Sequence, residues 1–471
     1  MRAPSSRKGK SKGRWLHWLA ALILCGGLIG LAIAWWAYQR VGRTPGELMD
    51  YAERRLQGHP KLETVALPAM GLLRGWFDAP SIAERRRTVF VVPPVPERAA
   101  PPLTEQPLPQ GTVWRVGPQE ALLSIAAAAK LARSGDTVEV QAGTYRGDVA
   151  VWGQKQLTIR AVGGRVRLIA DGRSAQGKAI WVIRNGDFDI SGFDFVGAKV
   201  ADKNGAGIRF EGGHLRVAHC LFWGNQNGIL TIGNQPDSQL EVVSSEFGYN
   251  GDGDGQSHNI YVGHIGRFSI TGSYLHHADT GHLLKSRAAV NEVFYNRLTD
   301  EEGGRASYEM DFPNGGVVRL VGNVVQQGRR TENSVMVSFG AEGLAHQRNT
   351  LELASNTLVN DHPHGGTFVR AAPGTERMLL ANNLLVGRGG LQFPVEHTDV
   401  NTRHTDWSVF VQPARYDYRV NDRGMALAYQ GVQAEAGVPS AQYVHPLQVQ
   451  RLSGPPVVVG ALQPDTLLAR P

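Results

Sequence analysis

The sequence predicts an all-β fold, a parallel β-helix, and the first observation behind this is a repeat. Between about residues 190 and 388, one phrase recurs eight times: an apolar residue, a turn of small or amide residues, and a second apolar residue. The closing residues are Phe195, Phe222, Phe247, Leu275, Leu298, Val325, Leu358 and Leu385, and the steps between them run from 23 to 33 residues. A unit this short cannot bury its own apolar face, so copies must stack as a solenoid.

Two further observations identify the units as coils of a β-helix. Each unit carries a second short apolar run after a Gly or polar residue, as in 207–210 or 334–337, which predicts two or three strands per coil. The turn position two before the closing residue holds Asn296, Asn323, Asn356 and Asn383, preceded by Ser245 and Ser273. Stacked amides predict an Asn ladder between coils, and the alternative is that Asn simply suits turns.

The β-helix is predicted to span 111–390, with a cap at each end. Residues 118–133 indicate a helix, because Pro118 stands at its first turn, one face is apolar, and Gly135 follows its end. An amphipathic helix there would cover the first open edge of the solenoid. Residues 391–471 lose the repeat and are interpreted as an irregular C-terminal capping region.

This combination of a cap helix, short coils and Asn turns resembles the right-handed parallel β-helix proteins of the pectate-lyase-like superfold. The resemblance covers roughly residues 111–390 and implies a right-handed solenoid. It leaves the function open, because many chemistries and some non-enzymes share that fold.

The N-terminus predicts a membrane anchor. The net charge is +7, and six basic residues without an acid lie in the basic tail 1–14, which leaves +1 for the rest of the chain. No basic face for nucleic acid is therefore expected. Residues 15–39 contain a long apolar run flanked by Trp, and the charge asymmetry predicts a transmembrane helix with its N-terminus in the cytoplasm. A cleaved signal peptide is the alternative.

The segments after the anchor are expected to connect it to the β-helix. Residues 40–91 are predicted to be partly helical, with a capping box at 44–47, and the Pro-rich stretch 92–110 is predicted to be an extended linker. In a Gram-negative bacterium the protein would be a single-pass inner-membrane protein, with the β-helix in the periplasm.

The candidate site is the densest polar stretch, 276–314, with its neighbours in the coil before. Outward residues on one face of a solenoid line a long groove that suits a polymer, and we expect an acidic polysaccharide or envelope glycan as the partner. The catalytic candidates are Lys285, Arg287, Glu309, Asp311 and His282, and the substrate-binding candidates are His258, Tyr261, Tyr308 and Asn314.

Alternation along the predicted strands orients some of these candidates. Glu309 and Asp311 stand two apart, so they are predicted to share a face. Strict alternation from His282 would turn Lys285 inward, so we expect a bulge there or a pairing with Glu309 or Asp311.

A narrower resemblance concerns Leu284-Lys285-Ser286, which looks like the Lys-Ser stretch of the alginate lyase and chondroitinase-B group. In that group a lysine abstracts the C5 proton of a uronate, while an arginine and calcium-binding acids stabilise its carboxylate. The resemblance implies that Lys285 is the base. It stops there, because Asp311 stands where the group has its next-coil arginine and the acidic calcium ligands are not matched.

No metal site is assigned from the sequence, although two features contain residue types that can bind metals. Five histidines lie within 258–282, but zinc would need three or four convergent ligands. The loop 251–255 has two Asp among three Gly, so calcium is a cofactor candidate, and a tight turn explains the loop equally well.

The leading functional prediction is β-elimination by a polysaccharide lyase, with Lys285 as base, Arg287 as carboxylate clamp, and the remaining catalytic candidates as acid, orienting or metal-binding groups. A hydrolase would need two carboxylates about 5–10 Å apart, such as Asp279 opposed to Glu309 or Asp311, and an epimerase is a further alternative. The competing prediction is a non-catalytic glycan-binding or envelope-scaffold protein, in which the charged cluster is a set of ion pairs on a sheet face.

Overall fold

The computed structural model of the chain describes residues 49, 52, 60–76, 90–102, 108–331, 333–393, 397–429 and 438–468. The main body is a right-handed parallel β-helix of about 10 turns. The chain divides into two compact units, residues 1–81 and residues 82–471, and the β-helix belongs to the second.

In the first unit, one long helix is described. Helix α1 (Pro60–Trp76) lies within the segment expected to be partly helical. The predicted basic tail and transmembrane helix (1–14 and 15–39) lie outside the described residues. Among the helices that the structure describes, none has the length and apolar character needed to cross a membrane.

The β-helix consists of three stacks of parallel strands, here numbered in chain order. The first stack contains β1 (Val113–Val116), β2 (Asp136–Arg146), β4 (Gln156–Ile169), β6 (Gly186–Ser191), β9 (Gly213–Ala218), β12 (Asn234–Val243), β15 (His264–Thr271), β18 (Val290–Phe294), β21 (Val317–Val321), β24 (Thr350–Ala354), β27 (Arg377–Gly387) and β29 (His397–His404). The second stack contains the later halves of β2, β4, β27 and β29, together with β7 (Phe193–Val196), β10 (Leu221–Trp223), β13 (Glu246–Gly248), β16 (Tyr274–His276), β19 (Arg297–Thr299), β22 (Val324–Gln327) and β25 (Thr357–Asn360). The third stack contains β3 (Ala150–Trp152), β5 (Ala179–Ile183), β8 (Ala206–Phe210), β11 (Asn227–Thr231), β14 (Ile260–Val262), β17 (Leu284–Ser286), β20 (Met310–Phe312), β23 (Val335–Phe339), β26 (Gly366–Ala371) and β28 (Gly389–Gln392).

The repeat defines the core, as predicted. In the second stack Phe222 pairs in register with Phe195 and Phe247, and the register continues through the closing residues to Leu385. The Phe195, Phe222 and Phe247 rings stack at centroid distances of 4.9 and 4.6 Å and are fully buried. Burial of one such ring stabilises the fold by about 1.5–3 kcal/mol.

The predicted Asn ladder is confirmed. Asn296 donates from its backbone and side-chain nitrogens to Asn323 Oδ1, at 3.0 and 3.1 Å. The same pair of bonds joins Asn323 to Asn356, Asn356 to Asn383, and Asn383 to Asn401. Each Asn side-chain oxygen therefore accepts two hydrogen bonds from the Asn of the preceding coil. These bonds fix both the spacing between coils and the conformation of the turn.

The helix at the entrance of the β-helix is shorter than predicted. Helix α2 (Ile125–Leu131) starts at the N-cap Ser124, whose hydroxyl accepts from the backbone of Ala127. Asp148 also accepts from the backbone nitrogens of Ile125 and the next residue, at 2.7 and 2.9 Å. These caps place the start of the helix after Pro118, not at it. Its role as a cap of the solenoid stays a prediction.

Two non-repeating segments cover the outer side of the second stack. Residues 90–102, which include the first part of the predicted linker 92–110, contact the solenoid: Trp223 Nε1 donates to the carbonyl of Pro93 at 2.9 Å, and Arg98 binds Glu246 through two nitrogens. The sequence did not predict this contact.

The C-terminal region contributes two hairpins and four short 3₁₀ turns. The hairpins are β30 (Phe410–Gln412) with β31 (Asp417–Val420) and β32 (Ala441–Val444) with β33 (Gln448–Arg451), and the turns are at Trp407–Val409, Pro413–Arg415, Gly424–Ala426 and Asp465–Leu467.

The C-terminal region packs mainly along the side of the solenoid. Its residues Phe410, Tyr418 and Val459 form one apolar cluster with outward residues of the second stack, including Val324 and Leu384. The third stack, on a different side of the coil, carries the candidate site.

Candidate functional site

The third stack aligns five of its outward residues in one column. Tyr261, Lys285, Asp311, Ser338 and Arg370 occupy the same register on β14, β17, β20, β23 and β26. Neighbouring members therefore lie about 4.8 Å apart along the solenoid axis. The residues beside them in sequence point into the core, which leaves this column to face outward.

A second, aromatic column runs beside the first, three residues earlier in each coil. The rings of His258 and His282 are 4.5 Å apart, and those of His282 and Tyr308 are 4.9 Å apart. The backbone nitrogen of His282 donates to Nδ1 of His258 at 2.9 Å. This bond fixes the orientation of the His258 ring and assigns its Nδ1 as an acceptor.

The chain reaches Lys285 through an irregular step, as the sequence analysis anticipated. Leu283 and Leu284 are both fully buried, and regular pairing begins only at Leu284. Lys285 therefore faces outward despite the sequence alternation. It pairs with Asp311 (Nζ to Oδ2, 3.7 Å) and with Glu342 (Nζ to Oε1, 3.0 Å).

Arg287 is held by three neighbours around its guanidinium. Nε donates to the Tyr261 hydroxyl at 3.0 Å, Nη1 donates to Oδ1 of Asn314, and Nη2 donates to Oε2 of Glu342 at 2.7 Å. Burial works against the charged form, but the bonds to Glu342 and Tyr261 outweigh it and raise the pKa of Arg287. Arg287 is thus a fixed cation beside Lys285.

His282 and Asp311 form a recessed acid–base pair. Nδ1 of His282 lies 3.6 Å from Oδ2 of Asp311. Burial raises the pKa of Asp311 to about 6, and Lys285 partly offsets the rise. Burial, followed by His258, Lys285 and Arg287, lowers the pKa of His282 well below its usual value, so its imidazole is neutral at pH 7. Within the described residues, His282 Nδ1 and Asp311 Oδ1 have no hydrogen-bond partner.

Glu309 does not join this cluster, contrary to the prediction that it shares a face with Asp311. Strand β20 begins only at Met310, so the alternation does not extend back to Glu309. Its side chain is fully buried and accepts a bond from Gln327 at 3.3 Å. Burial, and then the nearby Asp300, raises the pKa of Glu309 well above its usual value. Burial thus disfavours the ionised form of Glu309.

The structure adds two residues that the sequence analysis missed. Glu342 lies in the loop between β23 and β24. This loop falls within the longest step of the repeat, and the extra length was the feature of the sequence that indicated an insertion. Arg370 donates to the Tyr308 hydroxyl at 3.1 Å. Aligning the second strands of all units would have placed Arg370 in the column of Lys285.

The remaining sequence candidates lie apart from the cluster. His276 and His277 bond each other through Nδ1 on the second-stack side, where His276 also contacts Glu246. Asp279, the partner considered for a hydrolase, is bound by Arg305 at 2.5 Å.

The calcium candidate does not fit the structure. In the loop 251–255, Asp252 pairs with Lys203 at 3.1 Å and accepts from Gln226 at 3.3 Å, and Asp254 accepts from the backbone of Gln256, so both carboxylates already have partners within the protein. Across the described part of the chain, no group of three or more His, Cys, Asp or Glu could hold a metal ion. No step of the chemistry below is therefore assigned to calcium.

Several solved structures are similar to this chain. One is the crystal structure of pectate lyase Pel9A, with a TM-score of 0.46 and 15% identity over 75% of this chain and 97% of that chain. Another is ORF18 of Geobacillus virus E2, with a TM-score of 0.38 and 13% identity over 61% of this chain and 56% of that chain. No family model and no curated protein matches the sequence.

Proposed function

We propose that this β-helix binds an acidic polysaccharide along its third stack and cleaves it by β-elimination at a uronate. The observation that carries the proposal is the convergence of three groups on one outward face: a fixed guanidinium (Arg287), an amine (Lys285), and a carboxyl group with a pKa of about 6 (Asp311). These are the groups that uronate elimination needs.

Each group has a defined role in the proposed reaction. Arg287 binds the uronate carboxylate and makes the C5 proton more acidic. Lys285 first passes its ammonium proton to its ion-pair partner Asp311 and becomes a free amine. The amine then takes the C5 proton, the C5–H electron pair forms the C4–C5 double bond, and the C4–O bond breaks. Asp311 gives its proton to the departing oxygen. Because base and acid are 3.7 Å apart on one face, they act from the same side of the sugar ring.

The neighbouring residues suit a polymer that runs along the solenoid axis. Tyr261 and Tyr308, both partly exposed, flank the reacting groups on either side. Arg370 stands three coils after Lys285, about 14 Å along the axis. We assign it to an acidic group on another sugar of the same chain. His258 and Asn314 act by positioning His282 and Arg287.

The setting proposed for this reaction is the bacterial envelope. The apolar stretch 15–39 would anchor the protein in the inner membrane and leave the β-helix in the periplasm, where an envelope glycan is the available polymer.

A second candidate function is non-catalytic glycan binding or envelope scaffolding. The observation that favours it is that Lys285 and Arg287 already have carboxylate partners, as in a structural ion-pair cluster.

One experiment separates the two functions. The full chain in mild detergent is incubated with alginate, polygalacturonate, chondroitin or hyaluronan, and unsaturated uronate ends are followed by their ultraviolet absorbance. Lys285→Ala should lower the rate by about 10²–10⁴-fold, the range expected for loss of a general base. Lys178→Ala, which removes a surface lysine paired with Asp202, should leave it unchanged.

The outcomes have distinct meanings. Activity that depends on Lys285 supports the lyase. Binding of a polymer without elimination supports the scaffold function. Activity that survives Lys285→Ala contradicts the assigned base.

A further inference from the structure

The carboxylate of Glu342 occupies the centre of the candidate site. One oxygen accepts from Lys285 at 3.0 Å and the other accepts from Arg287 at 2.7 Å. A single carboxylate thus bridges the two cations assigned to substrate binding and proton transfer. Hydrogen bonding of one carboxylate to two cations is the geometry expected for a bound uronate.

Glu342 is also the most accessible member of the cluster. The side chains of Lys285, Arg287 and Asp311 are only 13%, 15% and 5% exposed, whereas that of Glu342 is 47% exposed. A polymer that approaches from solvent therefore meets Glu342 before it meets the cations beneath.

The backbone that carries Glu342 is firmly held. The nitrogen of Glu342 donates to the carbonyl of Pro313 at 2.9 Å, and the nitrogen of Ala345 donates to the carbonyl of Asn314 at 3.0 Å. The ring of His346 contacts the carbonyl of Arg287 at 3.1 Å. Exchange of Glu342 for a ligand thus needs a rotation of its side chain only, and no loop opening.

We propose that Glu342 is a built-in stand-in for the substrate carboxylate: it holds Lys285 and Arg287 in place in the free protein and turns out to solvent when a uronate takes its position. This inference rests on the proposed function. It identifies the gap between Lys285 and Arg287 as the carboxylate subsite and makes Glu342 an autoinhibitory, specificity-determining residue. A neutral polysaccharide cannot displace Glu342, because it offers nothing to replace the two ion pairs.

The test measures the binding of polygalacturonate and alginate oligomers to the full chain by calorimetry. Glu342→Gln should tighten binding by about three- to tenfold, because half-exposed ion pairs of this kind contribute modestly. The control is Glu211→Gln, which removes the same charge from the third-stack side, where Glu211 pairs with Arg184 and Arg209. It should change affinity less than twofold by the same reasoning.

A double-variant cycle makes the test specific. In an Arg287→Gln background, Glu342→Gln should give a smaller gain in affinity, because only Lys285 remains as a competed partner. Where elimination is observed, Glu342→Gln should lower KM and leave kcat unchanged, since it removes a competitor of the ground state.

Each result either supports or overturns the inference. Equal gains in affinity from Glu342→Gln and Glu211→Gln would mean that the tighter binding comes from weaker general charge repulsion, which would overturn the inference. Unchanged or weaker binding in Glu342→Gln, or a loss of kcat, would make Glu342 a structural or reacting group and would leave the proposed function standing. If neither wild type nor variant binds any uronate polymer, the proposed function fails and this inference fails with it.

Discussion

Asp300 and Glu309 are two fully buried carboxyl groups of the solenoid. Asp300 is fully buried, and both of its oxygens accept from the backbone nitrogen of Ala306 at 3.1 Å. Burial raises the pKa of Asp300 from 3.8 to about 8, although the bond from Ala306 opposes the rise. The folded protein therefore keeps a proton on Asp300 that the unfolded chain loses.

The sign and size of the pH effect follow from this difference. Between pH 4 and pH 8 the folded state binds more protons than the unfolded state, so the free energy of unfolding falls as pH rises. A shift of four pKa units corresponds to about 5 kcal/mol, lost progressively across that window. Above pH 8 both states are ionised at this residue and the loss stops.

Asp300→Asn should remove this dependence, because an amide oxygen still accepts from Ala306 and no proton is exchanged. The free energy of unfolding of the variant, relative to wild type, should therefore rise by several kcal/mol from pH 4.5 to pH 8. Urea unfolding of both full chains at these pH values measures the difference. Asp171→Asn, a change at a surface aspartate with 59% exposure, is the matched control and should show no such trend.

A variant that is less stable than wild type by the same amount at both pH values would refute the reasoning. That result would mean that Asp300 is ionised in the folded protein and that its charge is compensated there. An ionised Asp300 would also raise the pKa of Glu309 further, because repulsion between the two carboxylates favours the protonated form of Glu309.

Three further predictions concern stability and use thermal unfolding of the full chain. Arg98→Ala should cost about 3–5 kcal/mol, because it strips a buried Glu246 of its main cation, and adding Glu246→Gln should recover part of the loss. Asn323→Ala should cost about 2–4 kcal/mol, because the Asn296 side chain loses its acceptor and Asn356 Oδ1 loses a donor. Phe222→Ala should cost about 3–5 kcal/mol, because it opens a cavity between two stacked rings. Leu123→Ala, at a residue 71% exposed, should stay within about 0.5 kcal/mol of wild type, and a comparable loss there would undermine all three.

The coil register could be predicted from the sequence because one physical constraint repeats in every unit. Closing residues such as Phe222 must be apolar to fill the core, and Asn323 must bond the next coil, so both leave a periodic trace. Strand limits between these markers were less predictable. The irregular step at Leu283 turns Lys285 outward, and the late start of β20 leaves Glu309 buried, and both follow local packing.

The composition of the candidate site was only partly predictable for a related reason. Lys285 and Asp311 lie at matching positions of adjacent coils, and His282 stands three residues before Lys285, so the repeat brings the three together. Glu342 comes from an insertion, and the length of an insertion does not determine the side over which it folds. The contact of Arg98 with Glu246 joins residues 148 positions apart and has no periodic signal.

The two sides of the solenoid differ in a way that favours the third stack as the place for a polymer. Both sides carry clusters of histidine and carboxylate, but Glu246 and His276 on the second stack lie beneath Arg98, from a separate segment of the chain. A ligand could reach them only after that segment had left. On the third stack, Lys285 lies beneath Glu342, a half-exposed side chain that can rotate away while its backbone stays bonded. A ligand therefore reaches the third-stack cluster once the two ion pairs of Glu342 break. It reaches the second-stack cluster only if a packed segment of the chain separates from the solenoid. Binding on the third stack thus costs less free energy.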